Sequence, residues 1–361
     1  MPSSLRVSTV TFMTSLAFER TPLADAELVR LYSQMTQVRH LDTSAIAWQR
    51  QGIVPGYAPM RGQEAAQVGA VAALDMSRDF LFPTYREMGA ALAAGVDMGE
   101  YMATHKATWN GGMYDARATR VTPIQTVIGG SALHAVGWGH GQRLDALAAD
   151  ADAPLDLPVA LVFLGDGATS QGDVHEAMNF AGVFETPTVF FVQNNGWAIS
   201  VPTERQVSGG SVAARGAGYG IAAVRVDGND IEEVVQATRA AVAHARSGAG
   251  PVVVEAMTYR RGPHSTSDDP GRYRSLEEER NDGGPDPLDV ARERLLSRGA
   301  FSTADVADVQ SAAEALEERV RADVQAQGPR PGAEMFEYVY QEMPVSLREQ
   351  AAAWREESDH V

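Results

Sequence analysis

The chain of 361 residues contains no cysteine. That absence excludes disulfides, thiolate nucleophiles, iron–sulfur clusters and cysteine-ligated zinc. Chemistry must therefore come from histidine, carboxylates, hydroxyls or a bound cofactor. Positive charge is also scarce: 30 Lys+Arg stand against 47 Asp+Glu, a formal net charge of −17. Such a surface argues against wrapping DNA or RNA, which needs a basic face to neutralise phosphates, and against docking on an anionic membrane. No apolar run approaches the roughly 18–20 residues of a membrane span. The longest, Val159 to Leu164, has the length of a buried strand. What the chain does have is 44% hydrophobic residues, enough for a sizeable core and against wholesale disorder. The first 20 residues carry Arg6, Arg20, several Ser and Thr and one acid, Glu19. They read as a floppy extension rather than an organellar transit peptide, with Met13 a second possible start and the cytoplasm the expected location.

Hydrophobic periodicity organises the rest. Leu28, Leu31, Tyr32 and Met35 recur at helical spacing and predict a helix over 23–51. Further helices are expected over 63–74 and 88–105, with a short strand and turn over 80–86, broken by Pro83. A glycine- and threonine-rich stretch, 108–131, has no clear period, and a connection that long is often functional. The clearest unit runs from 157 to 196. The near-continuous apolar run from Leu157 to Leu164 is the pattern of a strand covered on both faces. A helix follows, with Ala177, Phe180, Ala181 and Phe184 expected on its core face, and then a second buried strand from Thr188. A strand at 223–226, a helix from a capping box at Asp230 and Glu233, and a strand at 251–257 repeat the logic. Alternating strands and helices imply an α/β fold with a mostly parallel sheet flanked by helices. Residues 260–287 read as a long loop, and 288–328 and 334–356 as charged amphipathic helices. The expected organisation is an extension over 1–22, one α/β domain over 23–275 and a C-terminal helical extension over 276–361.

The functional signal lies at the ends of the first two long strands, where open parallel sheets hold ligands. Gly165-Asp166-Gly167 closes one strand and Asn194-Asn195-Gly196 the next. Taken singly, the first could be a turn and the second a cap. Taken together, 29 positions separate Asp166 from Asn195, one strand–helix–strand repeat, so both side chains can reach one point. A carboxylate oxygen with an amide oxygen suits a hard cation such as Mg²⁺, whose remaining positions diphosphate oxygens and water would fill. Gly165 and Gly167 would let backbone approach those phosphates, and Gly172, opening the helix, would add amide donors.

Gly165-Asp166-Gly167, 26 intervening residues and Asn194-Asn195 resemble the thiamin diphosphate motif. Tyr85-Arg86-Glu87, Gly165 to Ala168, Asn194 to Ser200 and the run His264-Ser265-Thr266-Ser267-Asp268-Asp269 narrow the resemblance to the alpha subunits of 2-oxo acid dehydrogenases. Arg225 to Asp230 and Val339 to Pro344 are most similar to the branched-chain members. The resemblance covers roughly 30 to 350 and implies the diphosphate-binding type of the thiamin-diphosphate fold.

The resemblance also implies roles. Asp166, Asn195 and the Trp197 carbonyl would ligate Mg²⁺. Tyr85 and Arg86 would hold the diphosphate, a guanidinium matching phosphate by charge and fork geometry, although Arg86 alone could equally be a surface ion pair. Thr126, Gly165, Gly167 and Ala168 would contact the cofactor. Ile128 would keep it bent, although Ile128 could equally be ordinary core. His264, in a polar loop after a strand, is the acid–base candidate, since imidazole can move protons near neutral pH. Ser265 matches a position phosphorylated in mitochondrial relatives, where added charge could disorder the loop. Asp268 and Arg260 are expected to pair and hold that loop.

Two positions depart from the pattern: Thr84 stands where branched-chain relatives often carry Gln, and Gln193 where some carry Arg. Gly130 falls where a potassium-binding stretch would need a hydroxyl, so no potassium site is expected. The glutamate that generates the cofactor ylide lies on a separate beta subunit in such enzymes. The implied assembly therefore has two alpha and two beta chains and a lipoyl-bearing acyltransferase partner, with the alpha chain inactive alone. The reaction would be oxidative decarboxylation of a 2-oxo acid, with pyruvate and acetoin as rival substrates. A nicotinamide dehydrogenase would need G-x-G-x-x-G after a strand, whereas Gly216, Gly218 and Gly220 precede one. A noncatalytic binding protein would require the metal pair to be decorative.

Overall fold

A computed structural model describes residues 15–106, 114–337 and 339–358. Arg6, Met13 and residues 107–113 of the glycine-rich stretch lie outside the described residues. In chain order the first helices are α1 (Asp25–Arg50) and α2 (Glu64–Val71), followed by β1 (Phe80–Phe82). Then come α3 (Met88–Ala93), α4 (Met98–Thr104), α5 (Ala116–Thr119), α6 (Gly130–Ala149) and β2 (Ala160–Gly165). The central unit continues with α7 (Gly172–Phe184), β3 (Thr188–Asn194) and a hairpin of β4 (Trp197–Ala198) and β5 (Val201–Pro202). After it come α8 (Ala213–Gly218), β6 (Ala222–Asp227), α9 (Ile231–Arg246) and β7 (Val252–Met257). The chain closes with α10 (Leu276–Asp282), α11 (Pro287–Ser297), α12 (Thr303–Ala326) and α13 (Val345–Ser358).

Five strands form one parallel sheet in the order β1-β2-β3-β7-β6. Burial on both faces explains why the central strands are largely apolar. Leu161, Phe163, Val189, Phe191, Val252 and Val254 face one side, against Val38 and Leu41 of α1, Ala66 of α2 and Val234 of α9. Ala160, Val162, Leu164, Phe190, Val192 and Val253 face the other, against Ala132 and Ala135 of α6 and Val174 and Ala177 of α7. Each fully buried Val, Leu or Phe contributes roughly 1.5–3 kcal/mol, and the buried polar residues on the strands, Thr188, Gln193, Asn194 and Glu255, each have a hydrogen-bond partner. Ala291, Leu295 and Phe301 pack on Leu28, Leu31 and Tyr32 of α1, which ties α11 to the core. No helix among the described residues is long and apolar enough to cross a membrane.

Four expectations change. The helix expected over 88–105 is two helices, because Gly95 turns with φ 86° and Asp97 caps α4 by accepting from Glu100 N. The loop expected over 260–287 contains α10, started by a complete capping box between Ser275 and Glu278. Asp230 caps α9 as expected, but Glu233 accepts from Asp227 N instead of closing the box. On α7, Ala177 and Ala181 are buried, whereas Phe180 and Phe184 are 44% and 40% exposed. The sheet-facing side of α7 is narrow, and small residues fill it. Its aromatic side faces outward, Phe180 and Phe184 stacking on each other and Phe184 on His140 of α6.

Candidate functional site

Parallel strands bring their carboxyl ends to one edge of the sheet, and a cavity of about 440 Å³ opens there. β1 delivers Thr84, Tyr85, Arg86 and Glu87, β2 delivers Gly165 to Ala168, β3 delivers Asn195 and the hairpin, and β7 delivers Arg260 and His264. Of the metal, cofactor and acid–base residues that the resemblance implies, the cavity unites all except Thr126, which is exposed and stands outside its lining. Ile128 lines it but is 43% exposed, so it is not core. Gly172 also lies outside the lining: a 3-10 turn, Gly167–Ser170, intervenes before α7 begins.

Asp166 is 1% exposed and, among the described residues, has no ion-pair partner. It accepts from Thr203 Oγ1 (2.5 Å) and from the Asn195 backbone N–H. Burial pushes its carboxyl above the usual carboxylate range, against the pull of these donors. Asn195 is fixed beside it. Its Nδ2 donates to Gln63 Oε1 (3.1 Å), and its Oδ1 accepts from Trp197 N (3.2 Å). A buried carboxylate with neutral hydrogen-bond donors and Arg260 as a more distant charge, together with the Asn195 amide oxygen and the Trp197 carbonyl in the same lining, is a donor set that fits one Mg²⁺. Among the described residues no group of three or more His, Asp and Glu side chains could hold a metal by itself. Any cation here would therefore depend on ligand oxygens from elsewhere, which diphosphate supplies. Gly165 faces open space, so backbone can approach a ligand there. Gly167 is glycine for another reason: a Cβ would lie 2.4 Å from Ala198 Cβ in the hairpin.

Arg86 and His264 face this pair across the cavity lining. Arg86 Nη1 donates to the Pro59 carbonyl, and Nη2 donates to the His264 carbonyl (2.8 Å) and lies 3.1 Å from His264 Nδ1. A guanidinium can only donate, so Nδ1 is the acceptor and Nε2 carries the proton. Burial, then Arg86 and Arg260, hold the His264 imidazole down at about 4. The Tyr85 ring meets the His264 ring edge-on at 6.1 Å.

Arg260 and Asp268 do not pair directly. Tyr273 stands between them, accepting from Arg260 Nη2 (2.8 Å) and donating to Asp268 Oδ2 (2.5 Å). Asp268 in turn accepts the His264 N–H (2.8 Å), and these donors hold its carboxyl below the usual range. Arg260 also reaches the Ile199 and Trp197 carbonyls, tying the His264 loop to the hairpin. Ile199 sits at φ 55°, a strained conformation for a β-branched residue, and lines the cavity. Thr84 and Gln193, the two departures from pattern, both serve Glu87. Thr84 donates to its Oε2 and Gln193 Nε2 to its Oε1 (2.7 Å). Burial raises the Glu87 carboxyl. Gln63, Thr203 and Tyr273 were invisible in sequence because nothing local marks them: Gln63 and Asn195 are 132 positions apart.

The family model described as "Dehydrogenase E1 component" matches residues 32–331. The chain is 43% identical over 336 residues to the 3-methyl-2-oxobutanoate dehydrogenase subunit alpha of Mycobacterium tuberculosis, covering 93% of this chain and 88% of that one. It is 32% identical over 335 residues to the pyruvate dehydrogenase E1 component subunit alpha of Staphylococcus epidermidis, covering 92% and 88%. The Staphylococcus aureus protein of the same name is also 32% identical, over 342 residues, with the same coverage.

Proposed function

The chain belongs to the dehydrogenase E1 component family, and from that premise we propose that it is the alpha subunit of a branched-chain 2-oxo acid dehydrogenase that works with Mg²⁺ and thiamin diphosphate. The observation that carries this reading is Asp166, a buried carboxylate without a cation, hydrogen-bonded to the Asn195 backbone on one side of a cavity that Arg86 and His264 also line. Asp166, Asn195 and the Trp197 carbonyl would hold the metal. Arg86, with Tyr85, would bind diphosphate oxygens, and Gly165 and Ala168 would border them. Thiamin diphosphate supplies, when bound, the nucleophilic carbon and electron sink that decarboxylation needs. His264, held neutral near pH 7 by burial and the two arginines, can relay a proton by taking one at Nδ1 as it gives one up from Nε2. Val127, Ile128, Ile199 and Val201 give the cavity an apolar wall that suits an aliphatic side chain.

The chain brings one α/β layer to the cofactor, so the glutamate for the aminopyrimidine would come from a beta subunit in an assembly of two alpha and two beta chains. The outward face of α6 and α7, with Leu144, Leu147, Phe180, Val183 and Phe184, supports that reading, since contiguous exposed apolar side chains mark contact sites. The acyl group would pass to lipoyl groups of an acyltransferase partner, to which the charge of −17 offers a complement for basic surface. The expected location is the cytoplasm.

The full-length chain should show no decarboxylation until the beta chain is added; activity of the chain alone would overturn the division of labour. The reconstituted enzyme, given a panel of 2-oxo acids, should favour 3-methyl-2-oxobutanoate. A preference for pyruvate would instead side with the relatives at 32% identity.

A further inference from the structure

Asp42 lies on α1, fully buried and without an ion pair among the described residues. The arginine one helical turn before it, Arg39, is committed elsewhere, to Glu64 and, by two bonds, to Asp286. Asp42 Oδ1 accepts from the Tyr57 hydroxyl (2.7 Å) and from the Met60 backbone N–H (2.8 Å), while Oδ2 has no partner. Leaving a carboxylate half satisfied in the core is costly, so a core position would ordinarily carry an apolar residue. What Asp42 grips is the irregular segment 57–60, which has no helix or strand of its own.

The other side of that segment feeds the site along three lines. The Pro59 carbonyl accepts from Arg86. Tyr57 exchanges two bonds with Thr266, its carbonyl accepting from Thr266 N (2.9 Å) and its N–H donating to Thr266 Oγ1 (3.2 Å). The Met60 carbonyl accepts from Gln63 N (3.1 Å), and Gln63 Oε1 accepts from Asn195 Nδ2. We propose that Asp42 is a positioning residue: it clamps segment 57–60 from within the core, and through that segment sets Arg86 and the His264 loop in register with Asn195. Burial, with Glu64 opposing and Arg39 assisting the charge, pushes the Asp42 carboxyl up to about 6, consistent with an anion retained for its grip rather than for stability. The proposal rests on reading Arg86 and His264 as the diphosphate and acid–base residues, but its first test does not.

That test is the titration of His264 by NMR in the full-length chain without cofactor, with His264→Asn assigning the signal. His264 should titrate near 4 in the natural chain, because burial and the facing Arg86 and Arg260 guanidiniums disfavour its protonation. In Asp42→Ala, Arg86 should lose its seat and the titration should move up toward the ordinary imidazole value of 6.5. In Asp42→Asn, which keeps the acceptor at Oδ1, it should stay near 4. Affinity for Mg²⁺–thiamin diphosphate should fall about tenfold or more in Asp42→Ala and recover in Asp42→Asn, as for loss and return of one well-placed charged hydrogen bond. An unmoved His264 titration in folded Asp42→Ala overturns the proposal. If that variant does not fold, Tyr57→Phe, which removes one of the two donors, decides: a partial upward shift supports the clamp and none refutes it. Failure of the enzyme reconstituted with its beta chain to bind the cofactor, with the His264 shift intact, would refute the functional reading and leave the clamp standing.

Discussion

The cavity lies at the carboxyl ends of the strands, whereas Phe180 and Phe184 stand at the far end of α7, and the two regions are built in opposite ways. In the cavity, Arg86, Asn195, Asp166 and His264 are each held by polar contacts, from Pro59 and Gln63 in the segment before α2, from Thr203 just after the hairpin and from Asp268 in the β7 loop. On the outer face, Phe180, Val183 and Phe184 project from a regular helix and stack only on one another and on His140. In the first region the buried Asp166 has no ion pair among the described residues, though the Arg260 charge bears on it. The second exposes three large apolar side chains on a helix that also exposes Asp173 and Glu176. On the proposed reading, metal and diphosphate would complete the polar region and a beta subunit would cover the apolar one.

That contrast can be broken at either end. The largest effect is expected at Asp166. Asp166→Ala should weaken Mg²⁺–thiamin diphosphate binding by about a hundredfold or more in calorimetry, beyond what loss of an outer-shell contact costs. Unchanged affinity would remove the metal site. Next, Phe180→Glu with Phe184→Glu should abolish co-purification with the beta chain and leave the melting temperature nearly unchanged, because both side chains are exposed. Ala177→Glu on the buried side of the same helix should instead unfold the chain. Retained assembly in the double variant would move the interface elsewhere.

Smaller effects sharpen the polar side. Tyr273→Phe removes the hydroxyl between Arg260 and Asp268 and should raise the cofactor dissociation constant about five- to tenfold, the worth of one buried hydrogen bond of roughly 1–1.5 kcal/mol. Asp268→Ala should raise it further, since it also frees the His264 N–H. Equal effects of the two would make Tyr273 the whole link. The smallest effect concerns pH. His105 is buried between Tyr57 and Tyr101, and burial lowers it to about 4 from 6.5. Between those values the unfolded chain binds a proton that the folded one refuses, so this stability is present above 6.5 and lost as pH falls toward 4. His105→Phe should therefore lose less urea stability than the natural chain across that window, and identical pH slopes would refute the assignment.

Much of the site was legible because parallel α/β topology turns sequence spacing into position. Gly165-Asp166-Gly167 and Asn194-Asn195 each follow a buried run, so both had to reach the same sheet edge. Tyr85, Arg86 and His264 were found by resemblance, and the β1 and β7 ends bring them there. The expectation for α7 failed because helical spacing marks an apolar stripe without saying what covers it. Phe180 and Phe184 fit the pattern of a core face and stand in solvent. The Arg260–Asp268 pair failed for a related reason: opposite charges eight residues apart suggest a bridge, but loop geometry set a tyrosine between them.

The sequence by itself determined the strand ends, and with them the chemistry. Backbone pairing forces apolar runs into a parallel sheet, and the residues just beyond those runs have nowhere else to go. Only the tertiary structure decided which groups aim that chemistry. Asp42, Gln63, Thr203 and Tyr273 act through hydrogen bonds between elements distant in the chain, whose directions depend on how α1, α2, the hairpin and the His264 loop pack together. No local pattern encodes that packing. It arises when the apolar faces of those elements close on the sheet and leave each buried polar atom a short choice of partners.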